Sequence, residues 1–148
     1  MRIGNYILAL ALMLGTSTQV LAQQAEKILV KSFNLHGSQV VFLNLDGPVE
    51  VQTWNSDLMR IQMTVAIENG SEAMIKSLLT AGRYNLSASE DDSNYQINAP
   101  GLQRELMLRG NPLVEKITYQ VFAPKDVLVK LKNEASSQLE ADGNPSSL

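Results

Sequence analysis

The chain has 148 residues, no cysteine and a formal charge of −3, from 12 basic and 15 acidic side chains. That length fits one domain, and the acid excess sets aside nucleic-acid binding, which needs clustered Lys and Arg. Without thiols there is no disulfide and no lipid at a cleavage-site cysteine, so an exported domain of this size rests on its core alone.

The chain opens MRIGNYILALALMLGTSTQVLAQQ. Arg2 and the amino terminus precede an apolar run, Ile7 to Leu14, and Val20-Leu21-Ala22 supplies aliphatic and small residues at cleavage positions. The run is too short to span a bilayer, and no later stretch is long enough, so residues 1–22 read as a secretory signal. Export to the periplasm, the outer surface or the medium follows, with no transmembrane segment left after cleavage.

From Ile28 to Leu131 the dominant period is two. Val41/Leu43/Leu45 and Val49/Val51/Thr53 flank Asp46-Gly47-Pro48, a strand, tight turn and strand in which Gly47 permits an unusual φ and Asp46 bonds the backbone ahead. In LMRIQMTVAIE, Met59, Ile61, Met63, Val65 and Ile67 share one face, and Arg60, Gln62, Thr64 and Glu68 the other. SEAMIKSLLTAGR then breaks the alternation. Ser71 is an N-cap, Met74, Ile75, Leu78 and Leu79 make one stripe, and Gly82 is the stop, which predicts a helix of about three turns near 71–81. Alternation resumes in Tyr84/Leu86/Ala88, Tyr95/Ile97/Ala99, Ile117/Tyr119/Val121 and Val127/Val129/Leu131, with turns at Asp91-Asp92-Ser93 and Pro100-Gly101. YQINAP (95–100) echoes as YQVFAP (119–124), an offset compatible with solenoid rungs and equally with chance. Residues 134–148 lose all periodicity and read as a disordered polar tail. The fold class is therefore all-β with one short helix, an antiparallel sandwich or a short β-solenoid-like domain spanning 23–133.

Catalytic constellations are weak. Asp46 stands alone in its turn, short of the alternating carboxylates of a calcium loop and without the glycines and helix of a phosphate loop. Glu90-Asp91-Asp92 is the densest acidic cluster and reads as a solvated tip. His36 is the only histidine, which excludes a histidine-based metal site and leaves a Ser-His-Asp triad without a nucleophile elbow. No metal ligand set, cofactor motif or catalytic residue emerges. A hydrolase using Asp46, Glu50 and Asp57 stays as a remote alternative. Segment 101–132 is locally basic, six Lys or Arg against three Asp or Glu, but these charges are spread over separate strands.

The aromatic residues are more informative. Phe42, Trp54 and Phe122 all fall on the polar parity of their strands, where they need a cover or a partner. The helix stripe is the expected cover. The other reading is an exposed patch in which Trp54, beside Asn55 and Asp57, stacks on a glycan or protein of the cell envelope.

KSFNLHGSQVVFLNLDGPVEVQTWNSDLMRIQMTV, with its strand, glycine turn, V-x-V strand, aromatic and Asx-rich turn, resembles the opening of the secreted bacterial adhesin-like β-solenoid proteins. ITYQVFAPKDVLVKLKN resembles the strand-Pro-strand that introduces their rungs. The resemblance implies a leading domain with adhesin-like binding and no catalytic residues. It also implies repeated G-x-V-x-V rungs after Leu131, where this chain has its polar tail instead. The expected function is a non-enzymatic, envelope-associated binding module. The alternative is a structural module that self-associates through an edge strand, with Val127 to Lys132 as the candidate edge.

Overall fold

A computed structural model describes residues 25–91 and 94–132. The expected secretory signal, 1–22, and the expected polar tail, 134–148, lie outside the described residues. The elements run β1 (Ala25–Asn34), β2 (Val40–Asn44), β3 (Val49–Trp54), β4 (Leu58–Ile67), α1 (Glu72–Thr80), β5 (Ser87–Asp91), β6 (Asn94–Asn98), a 3-10 turn (Pro100–Gln103), β7 (Met107–Leu108), β8 (Asn111–Pro112), β9 (Glu115–Pro124) and β10 (Leu128–Leu131). The fold is all-β with one short helix.

Two four-stranded sheets enclose the core, in the orders β1-β4-β9-β3 and β10-β2-β6-β5, and β7-β8 forms a small hairpin beside them. The alternating residues of β4 and β9 supply the floor: Met59, Ile61, Met63, Val65, Tyr119 and Val121 are buried, facing Val41, Leu43 and Ile97 of the second sheet. The central strands β2, β4, β6 and β9 thus bury alternate residues, as a period of two requires.

The sheets are mixed rather than antiparallel. β1-β4, β4-β9 and β5-β6 pair antiparallel, whereas β10-β2, β2-β6 and β3-β9 are parallel. The two echoed segments, β6 and β9, stand in different sheets, so they are not stacked rungs. Their match lies in equivalent packing: Tyr95 opposes Val41, Tyr119 opposes Val49, and Ala99 and Ala123 are both buried.

Asp46-Gly47-Pro48 is not a hairpin turn. It carries the chain from β2 in one sheet to β3 in the other, and those strands do not pair. Gly47 has φ +126°, and a Cβ there would lie 2.7 Å from the carbonyl oxygen of Ile117. Pro48 O accepts a hydrogen bond from the Tyr119 N–H at 2.9 Å. The arch is therefore pressed onto β9, and only glycine fits its apex.

The helix forms where expected and is shorter, at nine residues. Ser71 Oγ accepts from the Met74 N–H at 3.2 Å, and Gly82 takes φ +77° at the stop. Ile75 is buried in the main core, with Met74, Leu78 and Leu79 packed beside it, and the helix lies against β1. It does not cover the aromatic residues, because its apolar stripe is used on the core between the sheets. Tyr84 and Leu86 are buried as the alternation predicts, but they precede β5, whose own residues, Ala88 included, are all exposed.

Candidate functional site

In the first sheet, inner-facing residues alternate with an outer row in which Gln52 and Arg60 both flank Phe122, and Trp54 sits beside Pro124. Trp54 ends β3 and Phe122 lies on the neighbouring β9, so the two rings meet across adjacent strands. Their centroids are 5.7 Å apart at an interplanar angle of 42°. The Arg60 guanidinium lies 4.7 Å from the centre of the Trp54 ring, a cation–π contact. The Trp54 indole N–H donates to Leu58 O at 2.8 Å, spanning the Asn55-Ser56-Asp57 turn. Ser56 Oγ accepts from the Leu58 N–H at 3.3 Å. Both rings are half-buried, while Asn55 and Asp57 are exposed in the turn beside them.

Four of the five sequence-predicted residues thus gather at one end of the first sheet: Trp54, Asn55, Asp57 and Phe122. Phe42 does not join them. It lies on the outer face of the second sheet, opposite Lys130 of β10, whose ammonium is 5.4 Å from the ring centre. Around it runs an amide row in which Asn44 Nδ2 donates to Asn98 Oδ1 at 2.9 Å. Arg60 belongs to the aromatic cluster although its sequence position suggests only a solvated strand face. Its signal is the register, which a single sequence does not give.

Of the carboxylates considered for hydrolysis, Glu50 lies exposed within β3. Asp46 and Asp57 stand beyond opposite ends of the six-residue β3, on the order of 20 Å apart at the rise of a strand. Asp46 is ion-paired with Lys132 at 2.8 Å. Among the described residues no three His, Cys, Asp or Glu side chains come together as a metal site. Glu90 and Asp91 lie in β5, and the remaining member of their cluster, Asp92, is outside the described residues.

The most densely hydrogen-bonded side-chain group among the described residues is a buried one that sequence reasoning misses. Arg83 and Glu115 form an ion pair with side chains only 8% exposed. Arg83 Nε donates to Glu115 Oε1 at 2.8 Å, its NH1 donates to Gly101 O and Arg104 O at 2.9 and 2.8 Å, and Tyr84 OH donates to Glu115 Oε1 at 2.6 Å. One guanidinium thereby ties the end of α1, the 3-10 turn and the start of β9. The signal was Glu115 itself, a charge on the core parity of Ile117, Tyr119 and Val121, which requires a buried partner.

Burial pushes the Glu115 carboxyl up, yet the hydrogen bonds from Arg83 and Tyr84 outweigh it and hold the group below the ordinary carboxylate range. Burial raises the Tyr84 hydroxyl, with the Glu115 hydrogen bond adding to it. Burial and then the charge of Asp46 push the Tyr119 hydroxyl up to about 12. The depressed carboxyl contributes stability above the ordinary value of 4.5 that is lost as pH falls through its folded value. The raised phenols contribute stability fully present below 10.0 and lost as pH climbs toward 12. Urea midpoints are therefore expected to be flat near neutrality and to fall on both flanks, with about 2–3 kcal/mol lost through Tyr119 alone on the alkaline side. A midpoint unchanged between pH 9 and 12 would contradict the burial of these phenols.

No family model matches the chain, and no curated protein matches it. Among solved structures it is similar to a "putative cell adhesion protein" from Clostridium sporogenes, with 14% identity and a TM-score of 0.38, over 72% of this chain and 46% of that one. The chain thus spans less than half the length of that protein, and a likeness of this size carries no argument. No helix among the described residues is long and apolar enough to cross a membrane.

Proposed function

We propose that this chain is an exported, non-enzymatic, adhesin-like domain that binds a glycan or protein of the bacterial cell envelope through the outer face of its first sheet. The observation that carries the reading is the Trp54–Phe122–Arg60 cluster on the outer face of the first sheet, with both rings half-buried and Arg60 exposed. With the indole N–H committed to Leu58 O, recognition works through the ring surfaces, and polar contacts fall to the guanidinium of Arg60 and to Asn55 and Asp57. Export rests on the reading of residues 1–22. Binding needs no cofactor and no bond-breaking step.

Co-sedimentation with isolated bacterial envelopes tests it. The wild-type chain is expected to pellet with the envelopes, and Trp54→Ala to lose roughly ten-fold in retained protein while keeping its circular dichroism. Equal retention of the two folded proteins would remove the aromatic face from the account.

Self-association through β10 has no comparable support. β10 is indeed an edge strand, but it is four residues long, its Lys130 lies over Phe42, and Lys132 is paired with Asp46. Such a short, charged edge is the kind that resists pairing.

A further inference from the structure

The opposite edge of the first sheet has features that the aromatic face does not use. β1 is ten residues long and pairs with β4 along its whole length, and among the described residues nothing pairs with its other side. Its outward N–H and C=O groups form a template for an extended chain. On the outer face Ile28 and Val30 are 51% and 59% exposed. On the inner face Leu29 borders a cavity of about 180 Å³ with Leu79, Tyr84 and Leu86. Lys27 and Lys31 stand on that same face, two residues to either side of Leu29, and both are exposed. Lys31 Nζ also donates to Leu86 O, which fixes its ammonium at the rim of the cavity.

We infer that β1 is a docking strand for an extended partner segment of the pattern acidic–apolar–apolar–apolar–acidic. A strand added here sets one side chain beside Leu29 at the cavity, two beside Ile28 and Val30, and one opposite each lysine. Cross-strand neighbours on one face interact directly, so carboxylates at the two lysine positions are favoured and ammonium groups are disfavoured. A second copy fits badly for that reason. Two β1 strands paired antiparallel about Leu29 place Lys27 of each opposite Lys31 of the other, a like-charge repulsion that selects against self-pairing. The inference goes beyond the aromatic face: β1 and β3 are opposite edges of the sheet, so either site can fail without the other.

The test is fluorescence anisotropy of two labelled peptides, TSEVLVEST and TSKVLVKST, titrated with the full chain. Their cores read the same in both directions, so parallel and antiparallel docking are sampled together. The glutamate peptide is expected to bind roughly ten-fold more tightly than the lysine peptide, with an advantage that shrinks as salt rises. Lys27→Glu, at an exposed position, is expected to cut that preference several-fold, Val30→Asp to abolish binding, and Trp54→Ala to leave it unchanged. Equal binding of the two peptides, or no binding of the glutamate peptide to a chain shown folded by circular dichroism, overturns the inference. Concentration-dependent self-association that Val30→Asp abolishes, in place of peptide binding, also overturns it and assigns the edge to a second copy.

Discussion

Glu115→Ala is expected to destabilise the fold by about 3–5 kcal/mol, because it strands a buried guanidinium. Arg83 would keep its bonds to Gly101 O and Arg104 O but lose its counter-charge, and Tyr84 OH would lose its acceptor. The desolvation of Arg83 is then no longer offset, in a site only 8% exposed. Removing both charges, as Arg83→Met with Glu115→Leu, should cost much less than the sum of the single changes, since neither variant side chain leaves an unpaired ion. Urea denaturation of the two single variants and the double variant measures this. Additive losses would mean that the two side chains stabilise the fold independently, against the geometry. The network also sits where α1, the 3-10 turn and β9 meet, so amide exchange is expected to rise at all three together in Glu115→Ala.

Gly47→Ala is the second large effect, expected at about 2–4 kcal/mol. At φ +126° an L side chain is strained whatever the space, and here the new Cβ meets backbone rather than a flexible side chain. Relief requires the arch to lift from Ile117, which stretches the Tyr119 N–H to Pro48 O bond and the parallel pairing of β3 with β9 that follows it. Asp46→Asn, in the same turn, is expected to cost little, because its ion pair with Lys132 is more than half exposed and solvent-screened. Thermal melts of the two variants separate these effects. A Gly47→Ala protein as stable as wild type would contradict the arch, and an Asp46→Asn protein as damaged as Gly47→Ala would shift the weight from backbone to charge.

The turn also shows where the sequence stops being informative. Asp46-Gly47-Pro48 between two alternating runs is the pattern of a reversal, and a reversal is present. Whether the second strand returns beside the first or crosses to another sheet depends on partners far along the chain, β9 for β3 and β6 for β2. Alternation identifies a buried face without identifying the neighbour that shares it, so the parallel pairings were not legible. What was local was legible: the core faces of β4 and β9, the helix with its Ser71 cap and Gly82 stop, and the outward parity of Phe42, Trp54 and Phe122. The helix was expected over those rings because its apolar stripe needs a surface, but the gap between the sheets offers a larger one, and Ile75 takes it. Arg60 and Phe42 changed places in the candidate site for a similar reason. Arg60 is drawn in by the β4-β9 register, and Phe42 is carried off in the other sheet.

The central claim is that the Trp54 face is where a ligand sits, and acrylamide quenching of Trp54 tests it most directly, since this is the only tryptophan of the chain. The half-buried ring is expected to be quenched measurably in the free protein and to be protected when soluble polysaccharide from bacterial envelopes, or detergent-extracted envelope protein, is added to saturation. Protection by either fraction identifies the ligand class. Quenching that is unchanged by both, in a chain that still sediments with whole envelopes, would contradict the claim and place binding elsewhere on the molecule.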